Sequence, residues 1–436
     1  MESFKLEEVF GVSKEQVASY VVRTQVDEVF KAAMKSDRQI IIYGASKQGK
    51  TALVSKYLPY EDNVLISCSP KSTVVDIYKA ILRKLGIEIT GNRENVRKYT
   101  VGLEGEGKAK GKIPVVAECE AALSLNGGIE NETNIIHIPV DFNLELPQDI
   151  FELYKQANTN KFIILENFHY LSELVQKQLA FDLRTFQELG MRFVILGVWR
   201  EKNRLVQYNG DLLDRITEVP VEPWERLDFE KVIKTGEECL NILIDEEIIK
   251  QIIVDSFGSI GVLQELLRVF CLKSGITETQ QRKTIIENQA ILVESIKEKV
   301  NDYSSRHIRA LEDIAKGNKA SKNNKEKLPL YLPYYFVQAI LTLDFDEIYK
   351  GIDRNDLEEA IKKSHHRKDS VRPSDITNLL DPLTRVQVGK GITPPIFDYD
   401  RTQRMVKVID STFYFFLKNA NTRIIAEEIP NPLDRD

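Results

Sequence analysis

Apolar and polar positions follow two different rhythms along the chain. Arg38-Gln-Ile-Ile-Ile-Tyr-Gly44 is a short apolar run, rich in β-branched residues, that stops at a glycine. That is the pattern of a strand buried on both faces. Asn63-Val-Leu-Ile-Ser-Cys68, Lys161-Phe-Ile-Ile-Leu-Glu166, Arg192-Phe-Val-Ile-Leu-Gly197 and Thr217-Glu-Val-Pro-Val221 repeat it. Between them lie segments with a helical period: Gly49–Tyr57, Thr73–Leu85 with Val74, Ile77, Ala80, Ile81 and Leu85 on one face, and a long one ending near Leu189. Strands alternating with helices predict a parallel sheet covered on both faces.

From Trp224 onward the strand pattern stops. Asp228–Asn241, Asp245–Phe257 and Gly261–Lys273 read as helices, and Arg282 to about Ile314 continues as helix. Beyond a polar, basic stretch, Tyr334–Leu343, Arg354–Lys363 and Pro373–Leu383 predict three more. Ile396-Phe-Asp-Tyr-Asp400 and Met405-Val-Lys-Val-Ile409 then predict a hairpin. Helices followed by a hairpin are the order of a winged helix-turn-helix. The stretch from about 91 to 132 breaks the α/β rhythm with Glu104-Gly-Glu-Gly-Lys-Ala-Lys-Gly-Lys112 and Asn126-Gly-Gly128, and reads as an insertion. The expected organisation is an α/β core over 1–223 carrying that insertion, and a helical lid with a linker helix over 224–315. A basic linker over 316–327 leads to a winged-helix domain with tail over 328–436.

Composition narrows the class. With 436 residues, 42% hydrophobic and 29% charged, the chain is ordinary globular protein. A formal net charge of −6 means that any nucleic-acid surface must be local. Cys68, Cys119, Cys239 and Cys271 are scattered, which argues against a disulfide framework or a zinc site. The start has no apolar leader, and no apolar run approaches the roughly 18–20 residues that span a bilayer. The expectation is a soluble, cytoplasmic protein without a membrane partner.

The chemistry is carried first by Gly44-Ala-Ser-Lys-Gln-Gly49-Lys50-Thr51, which fits G-x-x-x-x-G-K-[ST] between a predicted strand and a predicted helix. Its glycines let successive backbone N–H groups surround phosphates, and the helix N-terminus adds partial positive charge. Lys50 is placed to reach β- and γ-phosphates and the Thr51 hydroxyl to coordinate Mg²⁺. Such a site needs an acid at the end of a neighbouring strand, and Phe162-Ile-Ile-Leu-Glu166 supplies Glu166. Asn167 stands where a second acid commonly polarises the attacking water; it can orient water but cannot take its proton. Beyond the 192–197 strand, Arg200 and Asn203 are candidates to sense a γ-phosphate, or form a solvated basic end. Arg215 is a candidate arginine finger, or a helix-surface residue paired with Asp211. His169 has a packing role or a catalytic one. His365 and His366 are adjacent and make a poor metal pair on a helix. Lys362-Lys-Ser-His-His-Arg-Lys368 offers phosphate contacts or a solvated face.

Together the phosphate loop, acidic strand, sensor strand, Arg215 segment and helical lid resemble the AAA+ and STAND branches of P-loop ATPases. The chain order is similar to origin-recognition-type ATPases with a C-terminal winged helix. Val21-Val-Arg23-Thr-Gln-Val-Asp27 resembles the segment near the adenine in that class. The resemblance implies ATP and Mg²⁺ as cofactors. Gly44, Ala45, Ser46, Lys47, Gln48, Gly49, Lys50, Thr51, Ala52 and Arg23 would hold the nucleotide, Thr51 and Glu166 the metal. Lys50, Glu166, Asn167 and Arg215 would be the catalytic set, with Arg215 from the same or an adjacent subunit. Gln264 stands where the class often has a nucleotide-touching Arg, and Asn167 replaces an acid, so turnover is expected to be slow or regulated. The implied role is a nucleotide-dependent switch acting on double-stranded DNA, an effector protein or further copies of itself. Similar bacterial ATPases serve in conflict and antiviral defence, a setting that the insertion suits. The alternative is a nucleotide-stabilised scaffold that does not hydrolyse.

Overall fold

The five runs of β-branched residues pair side by side in a computed structural model that describes residues 3–11, 16–91, 99–103, 142–317 and 328–435. They form one sheet: β1 (Gln39–Gly44), β2 (Val64–Ser67), β3 (Ile163–Glu166), β4 (Phe193–Val198) and β5 (Ile216–Pro220), in the order β2-β3-β4-β1-β5, every pair parallel. Side chains alternate across the pleat. Ile40, Ile42, Ile164, Val194 and Leu196 therefore pack on one face with Val26, Phe30 and Leu53, whereas Ile41, Ile163, Leu165, Phe193 and Ile195 pack on the other with Ile81, Leu183 and Phe186. Each fully buried side chain contributes about 1.5–3 kcal/mol. This is the core of a P-loop NTPase α/β fold, as the sequence predicts. The helices are capped as their sequences require: Thr73 and Asp76 form a capping box at Val74–Lys84, Ser172 caps Glu173–Leu189, and Gly190 ends the latter in the left-handed region.

Past the core, Arg226–Leu240, Glu246–Asp255 and Ile260–Lys273 bury a separate cluster. Its partner is unexpected: Leu6, Val9 and Phe10 from the start of the chain fill it, and a Cβ on Gly236 would meet the Phe10 ring at 2.1 Å. The expectation of unbroken helix from Arg282 is corrected. Thr284–Ile286 is a short strand parallel to Ile242–Ile244, and the helix runs Gln289–Ala315. The Thr-Ile-Ile run is β-branched, and Asn288 caps the helix start with its side chain.

Helices Leu332–Thr342, Arg354–Ser364, Pro373–Leu380 and Leu383–Gly389 follow, with the antiparallel pair Phe397–Asp400 and Met405–Val408. Ile352–Asp353 adds a third strand to that pair. The expected 373–383 helix ends at Leu380, and a separate helix, Leu383–Gly389, starts after Pro382. Ser411–Asn419 then forms a helix with Phe413, Tyr414, Phe415 and Phe416 all buried. Most of the expected insertion at 91–132, with Cys119, and of the basic linker at 316–327 lies outside the described residues; an antiparallel pair, Ile87–Gly91 with Tyr99–Leu103, leads into the former. Among the described residues no helix is long and apolar enough to cross a membrane.

Candidate nucleotide site

The loop after β1 turns at two glycines where no other residue fits well. Gly44 has φ 151°, and a Cβ there would sit 2.7 Å from Val221; Gly49 has φ 82° and hands the chain to the helix Lys50–Tyr57. That helix start presents backbone N–H groups with no intrahelical partner. Lys50 is buried, and its Nζ donates to the carbonyls of Gly44 at 2.9 Å and Ala45 at 2.5 Å. Burial pushes its ammonium down to about 8. Thr51 Oγ1 donates to Glu166 Oε1 at 3.3 Å across from β3, and Tyr60 donates to the same oxygen at 2.7 Å. A hydroxyl and a carboxylate meeting at the phosphate-loop helix form an oxygen donor set suited to a hard divalent cation.

A cavity of about 390 Å³ opens beside the loop, lined by Lys47, Gln48, Gly49, Lys50, Thr51 and Ala52 on one side, and by Val21, Arg23, Trp224, Ile260 and Gln264 on the other. Arg23 donates to Val221 O at 2.8 Å and lies over the Trp224 ring at 3.7 Å. Gln48 is buried, and its Oε1 has no hydrogen-bond partner among the described residues. Gln264 is spent on the N-terminal segment, donating to Ser19 Oγ and accepting from Gly11 N–H. The predicted loop residues, Arg23, Thr51 and Glu166 are thus brought together, and they fit a magnesium nucleotide: a basic, N–H-rich loop, a metal-competent oxygen pair and a half-apolar cavity.

The other expected residues divide. Asn167 adopts φ 58°, a left-handed conformation that Asn tolerates, and its amide donates to Ser67 Oγ at 3.3 Å on β2. Arg200 reaches the loop indirectly: it pairs with Glu222 at 2.8 Å and donates to Tyr414 Oη at 3.1 Å. Asn203 has φ 59°, and its backbone N–H donates to Glu218 at 2.8 Å. Arg215 precedes β5, and its carbonyl accepts from Gln39 N–H at the start of β1, so it sits at the end of the sheet opposite the phosphate loop. There it pairs with Glu188 at 2.9 Å and donates to the Asp211 carbonyl. The same-subunit alternative for Arg215 is therefore corrected, because the length of the sheet separates it from its own loop; within this chain it is a surface residue held by Glu188 and the Asp211 carbonyl rather than by the Asp211 carboxylate.

Sequence reasoning missed three groups that hold the loop. Glu222 Oε2 accepts from Ala45 N–H at 2.7 Å. Gly261 N–H, at the start of the helix Ile260–Lys273, donates to Lys47 O at 2.9 Å. The segment after the C-terminal hairpin grips Ser46 three ways: Ile409 O accepts its N–H at 2.8 Å, Asp410 Oδ1 accepts its hydroxyl at 3.2 Å, and Ser411 Oγ donates to its carbonyl at 2.9 Å. Asp410 is held in turn by Arg306 of the long helix. Only Glu222, directly after a predicted strand, left a local signal.

His365 and His366 fall just past the helix Arg354–Ser364 and stack at 4.6 Å; among the described residues no cluster suits a metal. In the basic run, Lys362 pairs with Glu358 at 2.7 Å, and Arg367 donates to the Leu328 carbonyl.

No protein-family model matches the chain, and no curated protein matches it. Solved structures do. The Walker-type ATPase PABY2304 of Pyrococcus abyssi superposes with a TM-score of 0.51 at 13% identity, over 90% of this chain and 94% of that one. The Aeropyrum pernix ORC1 protein, solved in complex with DNA, gives 0.43 at 11% identity over 96% and 97%. The Pyrococcus likeness is one of fold; the second lies too low to carry an argument.

Proposed function

We propose that the protein is an ATP-driven switch whose phosphate loop is shared between nucleotide and its own C-terminal unit. The observation that supports it most is the triple grip of Ile409, Asp410 and Ser411 on Ser46. Phosphate binding calls on the N–H groups of this loop. Two of them, at Ala45 and Ser46, are engaged by Glu222 and Ile409. A phosphate chain and these acceptors compete for the same donors, so occupancy of the site changes what holds the C-terminal unit. Mg²⁺ would sit against Thr51 and Glu166 and neutralise phosphate charge when bound; Lys50 would leave its loop carbonyls for phosphate; Arg23 and Trp224 would close the wall around the base. Hydrolysis is slow, because Asn167 donates to Ser67 and accepts no proton; Glu222 is the nearest carboxylate on the loop. The C-terminal unit, with its helices and hairpin, is a winged helix that delivers the output to an effector protein or to double-stranded DNA, and Arg215 serves an adjacent copy. Antiviral defence is the setting that the resemblance suggests.

ATP turnover with Mg²⁺, with and without double-stranded DNA, tests this, using Lys50→Ala as the blank. Turnover lost in the variant supports an ATPase, and stimulation by DNA selects DNA as the output. Tight ATP binding with no turnover above the blank selects the non-hydrolysing scaffold, which Asn167 favours.

A further inference from the structure

A second line of contacts joins the phosphate loop to the C-terminal unit, apart from the grip on Ser46. It starts at Glu222, whose Oε2 accepts from Ala45 N–H at 2.7 Å. The carboxylate lies against the first turn of the loop, where a Cβ on Gly44 would sit 3.3 Å from the same oxygen. Arg200, just past β4, clamps Glu222 with two arms of its guanidinium: Nη2 donates to Oε1 at 2.8 Å and Nε to Oε2 at 3.3 Å. A planar fork of this kind fixes the plane of a carboxylate as well as its position. The third arm, Nη1, donates to Tyr414 Oη at 3.1 Å.

Tyr414 takes its place from its own unit. It is 1% exposed in the helix Ser411–Asn419, and its ring meets Tyr349 and Phe345 edge-on at 5.1 and 6.2 Å. Where that unit goes, the hydroxyl goes with it. Arg200 and Glu222 are less enclosed, their side chains 25% and 17% exposed. Together with Tyr414 they line a cavity of about 450 Å³, which gives the pair room to shift. An ion pair this open adds little to folding stability. What it fixes is the carboxylate that occupies Ala45 N–H.

We propose that Arg200 is a positioning residue that keeps Glu222 on the Ala45 N–H, and that the Tyr414 hydroxyl makes this hold depend on the docked C-terminal unit. The inference rests on the competition between phosphate and the loop's own acceptors, and adds to it a path that bypasses Ser46. Docking then closes one N–H of the loop to phosphate, and by reciprocity nucleotide that claims this N–H loosens Arg200 from Tyr414.

The test is calorimetric binding of a non-hydrolysable ATP analogue with Mg²⁺ to the full chain. Tyr414→Phe removes one hydroxyl and keeps the packed ring. Arg200→Lys keeps the positive charge near Lys50 and loses the fork. Each is expected to bind the analogue about threefold to tenfold more tightly than the unaltered protein. Damage to packing alone would lower the Tm and would not tighten binding. Each change is then combined with Glu222→Gln, where its effect should shrink to within about twofold, because the carboxylate that it acts through is gone. Unchanged or weaker binding in either folded variant, with Glu222→Gln itself tighter, would overturn this proposal and leave the competition standing. Tightening that persists in the Glu222→Gln background would overturn it as well. Glu222→Gln without any effect would remove the competition and this proposal together.

Discussion

Lys50 holds its ammonium against two carbonyls of its own loop, out of water and close to the loss of its proton. The sign of the consequence follows from its lowered pKa. Below pH 8 the side chain is charged before nucleotide arrives; above it, binding must also take up a proton. ATP affinity measured by calorimetry should be flat up to about pH 7.5 and fall by at most about tenfold per unit beyond pH 8. Lys50→Ala should bind at least about a hundredfold more weakly and lose the dependence. Glu222 makes the opposite prediction. Its carboxylate occupies Ala45 N–H, so Glu222→Gln removes an anion that competes with phosphate and should tighten ATP binding severalfold, about 1 kcal/mol. If turnover then disappears, Glu222 is also the carboxylate that Asn167 does not provide. The phosphate loop was legible because its spacing is local: two glycines, a lysine and a threonine between a strand and a helix. The grip on Ser46 was not, because its acceptors lie more than 360 residues away, and no local pattern marks the backbone carbonyl of Ile409.

At the scale of elements, the strand pattern carried most of the core. β-Branched runs between helical segments were enough to expect a parallel sheet, and the pleat explains which isoleucines face which layer. Parallel order alone also places Arg215, which precedes its strand, at the end of the sheet away from the loop. What the pattern did not carry was partnership between distant elements. The first residues of the chain carry only scattered apolar positions, yet Leu6, Val9 and Phe10 complete the core of the helices Arg226–Leu240, Glu246–Asp255 and Ile260–Lys273. Gly261 joins that helical cluster to the loop through Lys47 O, and a Cβ there would meet Lys47 Cβ at 2.4 Å. Gly261→Ala should therefore push the helix Ile260–Lys273 off the loop, at about 1–3 kcal/mol. Thermal melts should show a lower Tm without nucleotide and a smaller upward shift with ATP than in the unaltered protein.

Across the whole molecule the phosphate loop is where four parts of the chain converge. The sheet presents it, Gly261 ties it to the helix Ile260–Lys273, Tyr303 and Arg306 approach from the long helix, and Ile409–Ser411 bring the C-terminal unit. The two hydrogen bonds that Ser46 donates to this unit, from its N–H to Ile409 and from its hydroxyl to Asp410, contribute about 0.5–1.5 kcal/mol each, so giving them up to phosphate shifts the docking equilibrium by roughly 1–3 kcal/mol; the third, from Ser411, ends on the Ser46 carbonyl, for which phosphate does not compete. That range moves a population by roughly fivefold to 150-fold, a shift of the size by which ligands bias two-state proteins. The contact is direct. Hydrogen exchange over residues 405–419, with and without ATP and Mg²⁺ and repeated in Lys50→Ala, reads this contact most directly. The account predicts faster exchange in that segment when ATP protects residues 44–52, and no change in the variant. Unchanged exchange over 405–419 while 44–52 become protected would contradict it.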